Sequence, residues 1–291
     1  MKILSVMDNK KATVLIAVLL LVPSVAMAAM TDIANSPMAS AADANVKPNI
    51  LFILDDSSSM TWDYMPDNVD DNKNNRCFGY HGYNRVFYNP NYTYPVPVNA
   101  SGTPLATPSF TSAWRDGYKQ TGSVDLSNLS NLSVGTVKTN PSCNNNCTTT
   151  KYYYSTFTST GTPDCTDSKY SITTTLPDAQ KQNYANWYSF YRTRELFMRA
   201  GAGLAFVNMS DKYRVGYTTI NEGRTDASFD ELSESDVSSC SGDTCKFSLH
   251  VRPFDSTQKQ SFFRRLYKAS ASLTGTTQYT PLRGALMKGG Q

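Results

Sequence analysis

One short stretch of the sequence combines acidic and hydroxyl side chains at a regular spacing. Residues 49–60 read NILFILDDSSSM, an apolar run that ends in two aspartates and three serines. Asp55, Ser57 and Ser59 alternate after the run, so their oxygen atoms can converge on one small cation. Hard oxygen ligands of this kind suit Mg²⁺ first, with Ca²⁺ and Mn²⁺ as the other candidates, rather than zinc. The spacing therefore predicts a divalent-cation site.

Two other interpretations compete with a cation site. A polar turn in an unrelated α/β sheet would carry the same residues without any function. An enzyme is the second alternative, because residues 47–56 (KPNILFILDD) are also similar to the opening strand of arylsulfatases and related phosphatases. Those enzymes need a C-x-P-x-R or S-x-P-x-R motif, and the sequence contains neither. With two histidines and no nucleophile paired with a base, the sequence predicts a protein that is not an enzyme.

The elements that position these side chains follow from hydrophobic patterning. The apolar run at residues 49–54 is typical of a strand buried on both faces of a parallel sheet. Residues 182–208 carry apolar side chains at helical spacing, interrupted by Arg194 and Gly201, and predict one long helix. The other predicted elements are strands at residues 213–221 and 246–251, a helix at residues 255–269 and the start of a last helix at Pro281-Leu282.

This order of elements predicts the fold class α/β, an open sheet flanked by helices with a large insertion after the first strand. In such sheets ligands bind at the carboxyl ends of strands, where residues 55–59 lie. Residues 61–180 form the insertion, and their richness in Tyr, Asn, Thr, Ser and Pro predicts loops and short strands. The tyrosines of the insertion are either packing residues or a surface for a partner protein, and the sequence leaves both open.

The N-terminus predicts export. Three lysines precede a short apolar run at residues 12–22, and an A-x-A pattern follows, so residues 1–28 are predicted to be a secretory signal peptide. A membrane anchor is the alternative, but the run is short for a span of about 20 residues. Residues 29–46 are expected to be a flexible leader, and no transmembrane span is predicted after signal cleavage.

The charge balance argues against nucleic acid as a partner. Three of the 27 Lys and Arg residues and one of the 24 Asp and Glu residues lie in the signal segment, so 24 basic and 23 acidic residues remain. A near-neutral exported chain lacks the basic surface that nucleic acid binding needs.

Six cysteines in an exported chain predict disulfide bonds. Of the 15 pairings that six cysteines allow, the spacing favours Cys240–Cys245, Cys143–Cys147 and, as the remaining pair, Cys77–Cys165. A zinc site is the alternative, but the two histidines have no ligand-like spacing to the cysteines.

The D-x-S-x-S pattern after an apolar strand resembles the metal-ion-dependent adhesion site of von Willebrand factor type A (vWA) domains. Residues 275–286 (GTTQYTPLRGAL) are similar to the second site loop of that family, G-G-T-P-L-x-x-A-L, and place Thr280 at the ligand threonine. The resemblance implies that Thr280 joins Asp55, Ser57 and Ser59 around the cation. It also implies that the remaining position accepts an acidic group of a partner.

The sequence departs from the vWA pattern in two ways. Ser58 lies where the family usually has glycine, which would be unfavourable if the position needs a positive φ. The third site loop of the family, an apolar strand followed by Asp-Gly, is not found before Gln291. We therefore expect an incomplete, C-terminally truncated vWA-like domain formed by residues 47–60 and 181–291.

Several segments resemble the N-terminal region of the PilC/PilY family of type IV pilus tip-associated adhesins and assembly proteins. They are CFGYHGYNRVFYNPNYTYPVP (77–97), FTSAWRDGY (110–118), NYANWYSFYRTR (183–194), YRVGYTTI (213–220) and TPLRGAL (280–286). The resemblance implies location at the periplasm, outer membrane and pilus tip, and roles in pilus assembly, adhesion and surface sensing. The implied partners are pilin or minor pilins and a host or abiotic surface.

The same family carries a C-terminal β-propeller with a calcium site, and this sequence contains no part of one. The chain is therefore expected to be a fragment of a longer protein. A purely structural or force-responsive pilus module without a functional metal site is the alternative to a cation-dependent adhesin.

Overall fold

The computed structural model describes residues 46–132, 135–139, 148–220, 248–269 and 282–289. The elements below lie in the unit Lys47–Gln291. The strands are β1 (Asn49–Leu54), β2 (Ala113–Asp116), β3 (Thr121–Val124), β4 (Thr136–Lys138), β5 (Thr149–Lys151), β6 (Tyr154–Phe157), β7 (Tyr170–Thr173), β8 (Arg214–Thr219) and β9 (Leu249–Pro253). The helices are α1 (Asp178–Phe190), α2 (Arg194–Val207), α3 (Ser256–Lys268) and α4 (Leu282–Gly289).

The main sheet has the strand order β1-β8-β9, with β1 parallel to β8 and β9 antiparallel to β8. Leu54 is paired with Thr219, so β1 and β8 end at the same edge of the sheet. The structure is thus mixed α/β, as the order of elements predicts. The predicted strands at residues 213–221 and 246–251 correspond to β8 and β9.

Helix α3 covers one face of this sheet, as its apolar spacing predicts. Asp255 caps the helix, because its Oδ1 accepts a hydrogen bond from Gln258 N at 2.9 Å. Phe262 is fully buried, and its ring centroid lies 5.8 Å from Phe52 of β1 and 5.7 Å from Tyr217 of β8. The sheet core therefore depends on aromatic contacts between α3 and the two parallel strands.

The prediction of one long helix over residues 182–208 is wrong. Helix α1 ends at Phe190, and α2 begins at Arg194 after a break at which Thr193 is extended and accepts a hydrogen bond from Leu196 N at 3.4 Å. Phe197 and Leu204, which the helical spacing puts on the core face, are 43% and 44% exposed. The hydroxyl of Thr193 was the available sequence signal, because threonine favours the N-cap position.

Residues 61–180 and α1 surround a second core, which we call the aromatic core. Tyr88 is fully buried, with its ring centroid 4.9 Å from Tyr184 and 5.7 Å from Trp187. Three antiparallel strand pairs, β2-β3, β4-β5 and β6-β7, belong to this part of the chain, in agreement with the predicted short strands. Its other large buried side chains include Tyr64, Phe78, Phe87, Tyr94, Tyr152, Tyr153, Tyr188, Phe190 and Tyr191.

Most tyrosines of the insertion are thus packing residues, which decides between the two interpretations that the sequence left open. Burial also raises the pKa of Tyr94 to about 12, so its hydroxyl stays neutral and accepts a hydrogen bond from Asn89 N at 2.9 Å. Tyr92 is an exception, with half of its surface exposed.

A disulfide bond joins Cys77 to Cys165, with 5.2 Å between the two Cα atoms. Cys77 is fully buried, and the bond links the short 3-10 turn Arg76–Gly79 to the segment before β7. Cys77 and Cys165 are the pair that remains once the spacing has assigned the two local bonds. Cys143, Cys147, Cys240 and Cys245 lie outside the described residues, so their pairings stay predictions.

The buried guanidinium group of Arg199 connects the aromatic core with the helices of the sheet. Arg199 of α2 is fully buried and forms ion pairs with Glu195 and, at 3.4 Å, with Asp116 at the end of β2. Burial opposes the charge, but the two carboxylates raise the pKa of Arg199 above its ordinary value. The guanidinium also lies 5.6 Å from the ring of Tyr118, which stacks on Tyr267 of α3 at 4.6 Å.

Close packing at Gly216 gives a first prediction. A Cβ atom at this position of β8 would lie 2.7 Å from Val251 Cγ2 and 2.8 Å from Leu249 O, both in β9. We expect Gly216→Ala to lower the free energy of unfolding by about 1–3 kcal/mol, because the added methyl group forces β9 away. Urea denaturation measures the change. Gly201→Ala in α2 is the matched control, since nothing lies within 4 Å of its Cβ position, and it should stabilise the helix by up to about 1 kcal/mol. An unchanged urea midpoint for Gly216→Ala would contradict the prediction.

Candidate functional site

The three predicted ligands lie together in one short turn at the carboxyl end of β1. Asp55 follows the last strand residue, and its Oδ1 accepts a hydrogen bond from Ser57 N at 2.9 Å. Ser57 Oγ lies 3.0 Å from Ser59 Oγ, and only 2% of the surface of Ser57 is exposed. The parallel neighbour β8 ends at the same edge, so the turn occupies the position where open α/β sheets bind ligands.

The spacing of the two serine hydroxyls is compatible with a small divalent cation. Neighbouring ligands of an octahedral Mg²⁺, each about 2.1 Å from the metal, are about 3.0 Å apart. Ser57 Oγ and Ser59 Oγ are hydrogen-bonded to each other at 3.0 Å, which equals this separation. The hydrogen bond that Asp55 Oδ1 accepts from Ser57 N fixes the orientation of the carboxylate in the turn. The described residues contain no group of three or more His, Cys, Asp or Glu side chains arranged for a metal.

The serine at position 58 does not strain the turn. Ser58 begins a 3-10 turn, Ser58–Thr61, in which Met60 N donates to Ser57 O at 3.0 Å and Thr61 Oγ1 donates to Ser58 O at 2.8 Å. Among the described residues other than glycine, a positive φ occurs at Gln120 and not at Ser58. The departure from the glycine of the vWA pattern is therefore compatible with this backbone.

The fourth predicted ligand, Thr280, lies outside the described residues. Helix α4 begins two positions later, at Leu282, and contacts β1, the strand that leads into the site. The role of Thr280 stays a prediction.

Arg194 fixes the chain that leaves the site. Its backbone N donates to Trp62 O at 3.1 Å and its Nε donates to Tyr64 O at 2.6 Å. The guanidinium also pairs with Asp67 at 2.6 Å and lies 4.9 Å from the centroid of the Trp62 ring. In the sequence, Arg194 is visible only as an interruption of an apolar stripe. Its anchoring role could not be predicted, because its partners are more than 100 residues away.

A second anchor follows at Asp63 and Asn84. The fully buried Asn84 side chain donates to Asp63 O at 3.0 Å and accepts from Met65 N at 3.1 Å. Burial raises the pKa of the Asp63 carboxyl, while Lys73, 4.0 Å away, opposes the shift. These residues hold the chain after the 3-10 turn and are not part of the ligand set.

The chain is similar to proteins described as "Type IV pilus biogenesis factor PilY1" from three strains of Pseudomonas aeruginosa. The identity is 31% over 264 residues in strain PAO1, 32% over 260 residues in strain PAK and 34% over 260 residues in strain UCBPP-PA14. Each match covers 84% of this chain and 20% or 21% of the relative, so the chain spans about a fifth of the length of these proteins.

No family model and no solved structure matches the chain. Across the ranges that the structure describes, no helix has both the length and the apolar character needed to cross a membrane. The similarity to PilY1 proteins at 31–34% identity, over 84% of the chain, shows that the chain is PilY1-type in sequence over the aligned region.

Proposed function

We propose that the chain contributes to type IV pilus biogenesis through a vWA-like domain whose cation site binds an acidic group of a partner. The observation that carries the proposal is that Asp55, Ser57 and Ser59 lie in one short turn at the edge where β1 and β8 both end. The parallel pairing of β1 with β8, and the packing of α3 on one face of the sheet, are compatible with a vWA-like sheet. The similarity to PilY1 proteins supports the assignment to pilus biogenesis.

In this proposal, four side chains hold the cation: Asp55, Ser57, Ser59 and Thr280. A bound Mg²⁺, or Ca²⁺ or Mn²⁺, supplies positive charge at the sheet edge. The buried position of Ser57 and the hydrogen bond that orients the Asp55 carboxylate hold the ligands in place before the cation arrives. A carboxylate from a pilin, a minor pilin or a surface ligand completes the coordination.

We infer that the chain acts after export, at the periplasm, outer membrane and pilus tip. The Cys77–Cys165 disulfide supports this inference, because such bonds persist in oxidising compartments. The same inference includes adhesion to a host or abiotic surface, surface sensing, and the absence of enzymatic activity.

Calorimetric titration of Mg²⁺ tests the cation site. We expect Asp55→Ala to weaken Mg²⁺ binding by about 10-fold or more, because the substitution removes the charged ligand of the turn. Ser57→Ala and Ser59→Ala should weaken binding as well. Ser58→Ala is the matched control, since this serine is exposed and outside the predicted ligand set, and it should bind as the wild type does. Equal Mg²⁺ affinity in Asp55→Ala and the wild type would refute the site.

A structural module without a functional cation is the second candidate, and the aromatic core with its disulfide and buried ion pairs favours it. Piliation and adhesion of cells that carry Asp55→Ala separate the two. If Mg²⁺ binding is lost while both phenotypes persist, the structural function is correct.

A further inference from the structure

A cavity of about 360 Å³ lies between α2 and the segment at residues 81–94, and we call it the α2 cavity. Tyr92, Phe197 and Leu204 line it, and all three are large hydrophobic side chains exposed to solvent. Exposed apolar side chains that gather around one cavity mark an interaction site more often than the same side chains scattered singly. The cavity is therefore the first candidate for a second binding site.

The floor of the α2 cavity is a continuous row of aromatic rings. The ring centroids of Tyr92 and Tyr94 are 4.9 Å apart, those of Tyr94 and Tyr191 are 5.1 Å apart, and Phe197 follows at 6.1 Å from Tyr191. Tyr94 and Tyr191 are buried, and the Tyr191 hydroxyl donates to Pro95 O at 2.7 Å. A ligand that packs on a preformed floor avoids much of the entropy loss that ordering a mobile site would require.

Helix α2 leaves an open space at the mouth of the cavity. Phe197 and Leu204 are seven positions apart, so they lie two turns apart on one face of the helix. Gly201 lies between them on that face, and no atom lies within 4 Å of the position that its Cβ would take. An apolar group of a ligand can therefore enter between the two exposed side chains.

Arg85 supplies the charge of the α2 cavity. Its side chain is exposed, and within the described part of the chain its guanidinium forms no ion pair. Burial and the charge of Arg85 lower the pKa of His81, so this imidazole is neutral at pH 7. The described residues that line the cavity include no Asp, Glu or Lys. A carboxylate beside Arg85 would thus meet an unbalanced guanidinium, which binds carboxylates through two parallel hydrogen bonds.

The composition of the α2 cavity favours a protein as the partner. Tyr, Phe and Arg are enriched in the cores of protein interfaces, whereas Lys, Glu and Asp are depleted there, and the described lining residues follow the same bias.

One cation beside one apolar floor calls for a carboxylate and an apolar side chain that enter together. Neighbouring side chains of an extended segment point in opposite directions, so an acidic residue and its apolar neighbour would not both enter. The last residue of a chain carries both groups on one Cα atom.

We propose that the α2 cavity binds the C-terminal residue of a partner protein. The terminal carboxylate pairs with Arg85, and the apolar side chain of the same residue packs on the aromatic floor and enters the space beside Gly201. The cavity shares no residue with the turn at residues 55–59 and needs no metal ion. The proposal therefore stands whether or not that turn binds Mg²⁺.

Fluorescence anisotropy with the full chain, in the presence of EDTA, tests the proposal. The probe is a pentapeptide of glycine and serine that ends in phenylalanine, with fluorescein on its amino group and a free C-terminal carboxylate. Two peptides serve for comparison: the same peptide with a C-terminal amide, and an amidated peptide in which aspartate precedes the phenylalanine. We expect the free acid to bind at least about 10-fold more tightly than either amide, and its affinity to fall as salt is added.

Two variants test the two halves of the site. Arg85→Gln should weaken binding of the free acid by about 10-fold or more and leave binding of the amide unchanged, because only the charged contact is lost. Gly201→Leu should weaken binding of the free acid by about 10-fold or more, since the new side chain occupies the open space without a clash in the fold. Arg115→Gln is the matched control, because this exposed arginine of β2 lies outside the cavity and carries the same charge. It should bind the free acid within about twofold of the wild type.

Several outcomes would overturn the proposal. They are equal affinity for the free acid and its amide, full binding of the free acid by Arg85→Gln or by Gly201→Leu, and no binding up to about 1 mM peptide. If the amidated peptide with aspartate binds as tightly as the free acid, an internal acidic segment and not a C-terminus is the ligand. Binding of glucuronate without binding of the free acid would show that the cavity takes a sugar acid instead. Arg85→Gln changes an exposed side chain, so the test holds even if Gly201→Leu fails to fold.

Discussion

Removal of the Cys77–Cys165 disulfide is expected to lower the free energy of unfolding by about 4–5 kcal/mol. The two cysteines are separated by 88 residues, and a crosslink over a loop of this length removes a large conformational entropy from the unfolded chain. The loss is comparable with the whole stability of many domains, which is about 5–15 kcal/mol. Urea denaturation of Cys77→Ala/Cys165→Ala, followed by the fluorescence of the buried Trp187, measures the effect.

The control for this prediction is Cys143→Ala/Cys147→Ala. These cysteines are four positions apart, so their predicted bond would contribute only about 2 kcal/mol by the same entropy argument. The reducing agent dithiothreitol should destabilise the wild type strongly and the Cys77→Ala/Cys165→Ala variant much less. If the urea midpoint of that variant equals the wild-type midpoint, the disulfide does not stabilise the aromatic core.

Arg199→Met is expected to lower the free energy of unfolding by about 3–5 kcal/mol. The substitution keeps an unbranched side chain of similar length but leaves Glu195 and Asp116 facing each other at a site where Arg199 was fully shielded from water. Removing one partner of a buried ion pair is more destabilising than replacing the pair, because the remaining carboxylates lose the cation that balanced them; Lys119, 3.9 Å from Asp116, offsets only part of this loss. Thermal and urea denaturation, with circular dichroism as the signal, measure the loss.

The triple variant Arg199→Met/Glu195→Gln/Asp116→Asn separates this explanation from simple loss of packing. Once both carboxylates are neutral, no buried charge is left uncompensated, and the triple variant should recover at least half of the lost stability. A triple variant as unstable as Arg199→Met alone would show that the shape of Arg199, and not its charge, supports the junction.

Elements whose signals are local could be predicted from the sequence. The apolar run of β1, the amphipathic spacing of α3 with its Asp255 cap, and the ligand spacing of Asp55, Ser57 and Ser59 all lie within single segments. Their placement follows from strand and helix periodicity and from capping preferences. The metal hypothesis is likewise based on local features and stays a prediction.

Features that depend on distant contacts could not be predicted in the same way. Helical periodicity continues across the break between α1 and α2, so the Thr193 cap was a weak local signal; α1 packs in the aromatic core, whereas α2 contributes to both cores. A cavity of about 640 Å³ beside α3 combines residues from three separate segments, at positions 99–101, 118–119 and 260–268. Thr280 required the vWA resemblance, because nothing in its immediate sequence links it to Asp55.

The hydrogen bond between Arg194 N and Trp62 O holds the two ends of the segment at residues 62–194 side by side. The polypeptide thus leaves the region of the sheet and returns to it at adjacent positions. Domains with adjacent ends tolerate insertion into another fold, since the host needs only one open loop to accommodate them. A chimera that exchanges the segment between Trp62 and Arg194 therefore needs only one junction in the chain, but it must also preserve the Arg199–Asp116 ion pair and the Tyr118–Tyr267 stack that join this segment to α2 and α3.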